Sequence, residues 1–452
     1  MWAIALPVLF AEVGETLIQF TDTALLGRVG TAELAAIGPI DAVIDLAIVP
    51  AVGIAEAMQI VVARRVGDQR EATVGSTFVR DLALALVVSV ALAVALRLAS
   101  GPLGERLISS DAVARAVEDF FRFGSWGVVP FAVNLILGSL WVGLGRTRIL
   151  VWATTVLVLV NLALSATLIF GVLGVPALGI EGAGIGFLGA EAAAFAVLAG
   201  ATARRLQLRP RGLSRGPGGR FGPGLVRRRA GRPRRDGEAT TGAIARLGAP
   251  IGLQALVEAL RWVGFFLILQ QLGEQALAWS SLVYACYALL LVPSQAFAET
   301  AYTMVSASLG RTPSVGLGAL MRSVSRAAYV VTLPLLVVTL AFPEAVLSIF
   351  TNDAGALAGT VPALRVLAIG MLAVVAAELG LAAVFGTGDT DAGFVIEVLV
   401  SGALVGLTGL LVLGLGVDDL PLVWALLPLS AALGLAASAV WLRSGRWRRV
   451  VV

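Results

Sequence analysis

The chain has no histidine and no lysine, so its 33 basic residues are all arginine. Without lysine there is no P-loop of the Walker A kind, which excludes ATP use through that device. Without histidine there is no histidine-ligated zinc or haem and no Ser-His-Asp triad. The single cysteine, Cys286, excludes an internal disulfide and a cysteine-built zinc site. Charge is scarce too, at 14% of 452 residues, where soluble domains carry about 25%. Apolar residues make up 58% of the chain and the mean hydropathy is +0.93. A large soluble core would not supply a dozen apolar runs of about 20 residues, so the composition describes a polytopic membrane protein. No cleavable signal peptide is expected, because the first apolar segment is too long and too rich in acids.

Twelve spans are expected, over residues 2–26, 33–63, 71–99, 113–145, 147–171, 180–204, 243–270, 276–309, 315–342, 357–386, 391–415 and 420–442. Several exceed the length a bilayer needs, so tilted or kinked helices are expected. Pro50, Pro130 and Pro293 fall inside spans and should kink them. Arginines mark one side: Arg64, Arg65 and Arg70, then Arg146 and Arg148, then 13 between Arg204 and Arg246, and four in the tail. The loops at 171–180, 271–275 and 416–419 have none, so both termini are expected in the cytoplasm. Arg106, Arg115 and Arg122 are exceptions, offset by Glu105, Asp111, Glu118 and Asp119. Residues 205–241, rich in Gly, Pro and Arg, read as a mobile cytoplasmic tether held near anionic headgroups rather than as a nucleic-acid arm.

The chain is a duplication. One ungapped shift of 243 residues lays Pro250 on Pro7, Glu258 on Glu15, Pro293 on Pro50, Glu299 on Glu56, Gly310 on Gly67, and Gly386 and Gly388 on Gly143 and Gly145. Six spans per half is an even number, so the halves enter the membrane with the same orientation. The expected fold is all-α: twelve helices in two parallel six-helix bundles related by a pseudo-two-fold axis along the membrane normal. The division is 1–204 for the first lobe, 205–241 for the linker and 242–452 for the second lobe. The Gly-x-Gly at 143–145 and 386–388 lacks the strand and third glycine of a nucleotide loop and reads as a tight turn between helices.

The first span carries the sharpest signal. Glu12, Glu15, Gln19 and Asp22 fall within about 80° of one another at 100° per residue. A carboxylate at mid-membrane costs about 2.5–3.5 kcal/mol, so three on one span face a cavity or a partner helix. Asp22 has no counterpart in the second half, where Phe265 stands, and this asymmetry points to function rather than helix packing. Asp41 and Asp45, one turn apart on the second span, reach a similar depth. Three acids there repel one another, an arrangement able to hold and release a proton, or they line water at the outer mouth. Asn161 can hydrogen-bond a first-span carboxylate or clamp two helices. Glu56 and Glu299 follow kink prolines and read as structural. Glu191, Glu378 and Glu397 are single intramembrane acids, of which Glu378 is the best candidate for a second-half cavity. Trp141, Trp262, Tyr284, Tyr287 and Tyr302 could stack on a flat organic cation or serve as packing.

The runs FTDTALLGRVGTAELAAIG at 20–38, GLGRTR at 143–148, NLALSATLIFGVLGVPALGIEGAGIGF at 161–187 and VFGTGDTDAG at 384–393 resemble the multidrug and toxic compound extrusion (MATE) transporters, with wording nearest the DNA-damage-inducible branch. The resemblance implies a secondary antiporter that exports organic cations against inward H⁺, with Na⁺ as the alternative, by rocking two lobes. It implies no cofactor. It matches Asp22 to a first-span aspartate implicated in coupling, Asn161 to an asparagine of the same network, and Glu258 to a seventh-span glutamate. Ser165 stands where the family often has an aspartate, and Glu378 lies only near its tenth-span aspartate. The loss at Ser165 weakens a sodium site and favours protons, unless Asp41 or Asp45 supplies the missing carboxylate.

The expected coupling residues are thus Asp22, Gln19, Asn161, Asp41 and Asp45, with any Na⁺ near Asp22 and Asn161. The expected substrate-cavity residues are Glu15, Glu258, Glu378, Trp262 and Tyr287. The expected setting is the inner membrane of a prokaryote, as a monomer with an organic-cation substrate and no nucleic-acid partner. A flippase of lipid-linked precursors, which would use Arg261 and Arg64 as headgroup contacts, is the alternative. An intramembrane aspartyl enzyme using Asp22 and Asp41, or a scaffold without transport, is more remote.

Overall fold

Inside a bilayer no water is available to backbone N–H and C=O groups, so an apolar chain of this length must satisfy them within helices. The computed structural model describes residues 1–71, 74–108, 110–207, 238–311, 316–351 and 353–449, and among them there are helices and turns but no strand. Most of the expected tether, residues 208–237, lies outside the described residues. The first six long helices are α1 (Trp2–Leu26), α2 (Thr31–Gly67), α3 (Val74–Leu107), α4 (Asp111–Gly143), α5 (Arg148–Phe170) and α6 (Ile180–Gln207). The second six are α7 (Glu238–Leu269), α8 (Glu274–Arg311), α9 (Leu317–Ala341), α10 (Ala354–Gly386), α11 (Thr390–Gly409) and α12 (Leu420–Ser444). All twelve contain a stretch long and apolar enough to cross a membrane.

The boundaries differ from the sequence expectation mainly where a helix outruns its apolar stretch. The third span continues past residue 99 to Leu107 because helical hydrogen bonds do not require apolar side chains. The eleventh ends in a π-helical turn, Leu410–Gly414. The helices run on through Pro50, Pro130 and Pro293. At 1.5 Å per residue, α2 and α8 are each about 55 Å long, well beyond the roughly 30 Å hydrocarbon core. The two Gly-x-Gly segments form the expected turns. Gly145 and Gly388 adopt φ of +65° and +90°, a left-handed conformation that favours glycine just past a helix end.

The duplication is visible in the packing. In the first bundle α4 packs on α2, α3 and α6, while α5 packs on α1 and α6. In the second, α10 packs on α8, α9 and α12, and α11 on α7 and α12, which is the same scheme moved by one repeat. The seam between bundles repeats as well: α2 meets α8 on the pseudo-axis, and α2 against α7 mirrors α8 against α1. Glycines let the backbones touch there. A Cβ on Gly67 would strike the Ala307 carbonyl oxygen, and one on Gly310 would strike that of Arg64. Gly53 and Gly248 abut each other's backbone in the same way. Gly310→Val is therefore expected to destabilise the closed molecule by about 1–3 kcal/mol, the usual range for overpacking. The check is the unfolding midpoint in detergent, and an unchanged midpoint would refute the contact.

Candidate functional site

The acidic face of α1 opens into a cavity inside the first bundle rather than onto lipid. The cavity, of about 160 Å³, is walled by α1, α2, α4, α5 and α6. Glu15, Gln19 and Asp22 line it from α1, Asp41 and Asp45 from α2, Asn161 from α5 and Glu191 from α6. All five expected coupling residues are thus gathered in one place, with Glu15 beside them. Five of these seven side chains are carboxylates, and none of the described lining residues is basic. Asp41 and Asp45 are exposed to the cavity, whereas Asp22 is half-buried and Asn161 is buried.

Asn161 Nδ2 donates to Asp22 Oδ2 over 3.4 Å, a long bond, and the Ser165 hydroxyl also stands close enough to interact with Asp22. Three buried oxygens remain without a hydrogen bond among the described residues: Asp22 Oδ1, Asn161 Oδ1 and Ser165 Oγ. Buried polar atoms are otherwise almost always paired, so three in one neighbourhood mark a place for a donor or a cation. Gly186 makes the space, since a Cβ there would collide with Ser165 Oγ.

A second cavity, of about 150 Å³, continues toward the arginine-rich end and shares Glu15, Phe131, Leu157 and Glu191 with the first. Asn134 and Glu12 line it, as does Glu299 from the other bundle. Glu191, a lone acid by sequence, accepts a 2.8 Å hydrogen bond from Asn134 Nδ2. A chain of carboxylates therefore runs from Asp22 through Glu15 and Glu12 to the seam.

The other four expected cavity residues, Glu258, Glu378, Trp262 and Tyr287, lie in the second bundle and are not part of this site. Glu258 accepts from Arg261 at 2.9 Å and from Gln254 at 3.2 Å. Arg261 also donates to Glu397 at 2.8 Å, with the two side chains 6% and 5% exposed, and Ser401 donates to the same carboxylate oxygen at 2.7 Å. Glu378 and Tyr287 line a cavity of only about 30 Å³ with Arg261 and Glu397. Trp262 is engaged in an aromatic cluster, 4.6 Å from Tyr284 and 5.1 Å from Tyr287 between ring centroids, with the Arg261 guanidinium 5.6 Å from its own ring. Sequence reasoning missed Arg261 as the partner of these acids. The signal was present: Arg261 replaces Ile18 under the 243-residue shift, one turn from Glu258. Its second partner, Glu397, is 136 residues away.

The MatE family model matches residues 7–167 and again 250–408, once in each half. A probable multidrug resistance protein NorM of Bacillus subtilis (strain 168) is 30% identical over 40% of this chain and 40% of its own length. A NorM of Neisseria meningitidis serogroup A is 25% identical over 73% of this chain and 66% of its own. The first of these alignments thus spans about two fifths of that relative. Among solved structures, an outward-facing multidrug resistance MATE family transporter of the MOP superfamily superposes with a TM-score of 0.84 at 18% identity, covering 99% of this chain and 96% of the other. A MOP superfamily transporter from Pyrococcus furiosus, described as having a binding pocket of reversed polarity, scores 0.84 at 18% identity over 98% and 94%. These likenesses establish the fold.

Proposed function

We propose that this chain, which belongs to the MatE family, is a secondary antiporter that exports organic cations in exchange for an inward ion. It works in the cytoplasmic membrane of a prokaryote, with both termini in the cytoplasm, as the arginine placement supports. The observation that carries the reading is the cluster of buried, unpaired oxygens at Asp22. Asp22 Oδ1 and Asn161 Oδ1 are two buried acceptors without a hydrogen bond among the described residues. A proton on Asp22 supplies the missing donor, and a sodium ion would coordinate the same oxygens. The proton is the preferred ion, since a hydroxyl at Ser165 contributes less to a sodium site than a carboxylate would. No cofactor is needed, because the energy comes from the ion gradient.

Transport follows from competition. An organic cation and the coupling ion are both attracted by Glu15, Asp22, Asp41 and Asp45, and each offsets part of the cavity's negative charge when bound. If the two lobe arrangements favour different occupants, the exchange of one for the other drives the change of state. The second bundle already holds an internal cation in Arg261, so the exchangeable positive charge belongs to the first. The charges on the described lining are all acidic, which also argues against a lipid-linked phosphate as cargo. Proteoliposomes loaded with ethidium test the reading under a pH gradient and a sodium gradient imposed separately. Efflux driven by the pH gradient is expected, and efflux driven only by sodium would overturn the choice of ion. Ethidium movement indifferent to both gradients would overturn the antiport mechanism.

A further inference from the structure

We propose that Gln59 on α2 and Tyr302 on α8 are equivalent halves of a latch that holds the two bundles together at the arginine-rich end. The 243-residue shift lays Gln59 on Tyr302 and Glu56 on Glu299. In the folded chain the pairs cross the seam reciprocally. Tyr302 Oη donates to Glu56 Oε2 at 2.8 Å, and Gln59 Nε2 donates to Glu299 Oε2 at 2.7 Å. One contact is thus made twice, with residue i of one lobe on residue j of the other and the reverse, as at a two-fold dimer interface. The two halves of the gene have kept the geometry while changing the donor, an amide in one lobe and a phenol in the other.

The surroundings explain why the latch sits here. Gly67 and Gly310 bring the two backbones together just beyond it, and Gly143 and Gly386 allow α4 and α10 to crowd the carbonyls of Gln59 and Tyr302 from behind. Gln59 and Tyr302 are 1% and 8% exposed. Ser306, fully buried, donates to the Ile60 carbonyl across the same seam at 2.7 Å. These donors find their acceptors only on the opposite bundle. Parting the bundles strips both at once, and an unsatisfied buried donor opposes opening until water reaches it. The latch therefore biases the molecule toward the state closed at this end. The Glu299 limb also lines the cavity that leads back to Asp22, so the two limbs differ in what they can sense.

The latch gives the rocking of the proposed transporter its lock, but its test needs neither substrate nor ion, so it can fail while export stands. In a Cys286→Ala, Ser306→Cys protein, maleimide labelling at position 306 reports seam opening. Tyr302→Phe removes one oxygen and keeps the ring stacked on Phe385, whose centroid is 5.8 Å away. Gln59→Leu removes the amide. Each is expected to speed labelling about tenfold, equivalent to about 1.4 kcal/mol, and the two together more than either alone. The exchanged pair, Gln59→Tyr with Tyr302→Gln, again offers each glutamate a donor and is expected to bring the rate back toward the parent. Parental labelling in Tyr302→Phe or in Gln59→Leu would overturn the latch. So would an equal rise in labelling of the buried native Cys286 in chains without the reporter, which would mean general unfolding rather than seam opening.

Discussion

Asp22→Asn is expected to abolish ion-driven export while leaving the fold in place. Asparagine matches aspartate in shape, and its carbonyl can still accept the long bond from Asn161 Nδ2. What it cannot do is take up a proton or neutralise a cation. Coupling between two ligands through one protein is typically about 1–3 kcal/mol, a factor of about 5–150 in affinity, and that factor should vanish. The measurement is the ratio of ethidium efflux with and without the driving gradient at matched protein density. A parental ratio in Asp22→Asn would remove Asp22 from the mechanism. Asp41→Asn and Asp45→Asn are expected to have smaller effects, because those side chains are exposed to the open cavity.

Arg261→Met is expected to destabilise the protein by about 3–5 kcal/mol, the usual consequence of removing one partner from a buried ion pair. The reason is what it leaves behind. Glu397 is nearly inaccessible and would lose its cationic partner, keeping only neutral donors such as Ser401, while Glu258, partly exposed, would keep Gln254. Adding Glu397→Gln removes the stranded charge and should recover most of the loss, since a neutral pair in the same volume is often as stable as the ionic one. Unfolding midpoints of the two single variants and the double variant form a cycle that isolates the interaction. Strict additivity would mean that Arg261 and Glu397 do not act as a pair.

Much of the fold was legible because a bilayer leaves a chain few options. The twelve apolar runs, the arginine bias and the 243-residue echo are properties of short windows or of simple translation along the chain. The stripe of Glu12, Glu15, Gln19 and Asp22 was legible for the same reason, since helical periodicity alone puts these residues on one face. The cavity that the stripe faces needed α4 and α6, and it recruited Glu191, which no sequence spacing links to Asp22. Glu56 and Glu299 read as structural residues behind kink prolines, yet their partners lie on the opposite bundle. A pairing between residues about 240 positions apart leaves no periodic trace.

The sequence by itself determined that this is a helical membrane protein, that it is two copies of one six-span unit, and that the first copy carries an acid at Asp22 where the second has Phe265. Those facts follow from hydropathy, helical period and comparison of the chain with itself. Only the tertiary structure decided which acids share a cavity, that Arg261 pairs with Glu258 and Glu397 inside the second bundle, and that the repeat closes on itself through Gln59 and Tyr302. The physical reason is that burial and partnership are set by which helix faces meet, and that choice is made by packing across the seam rather than along the chain.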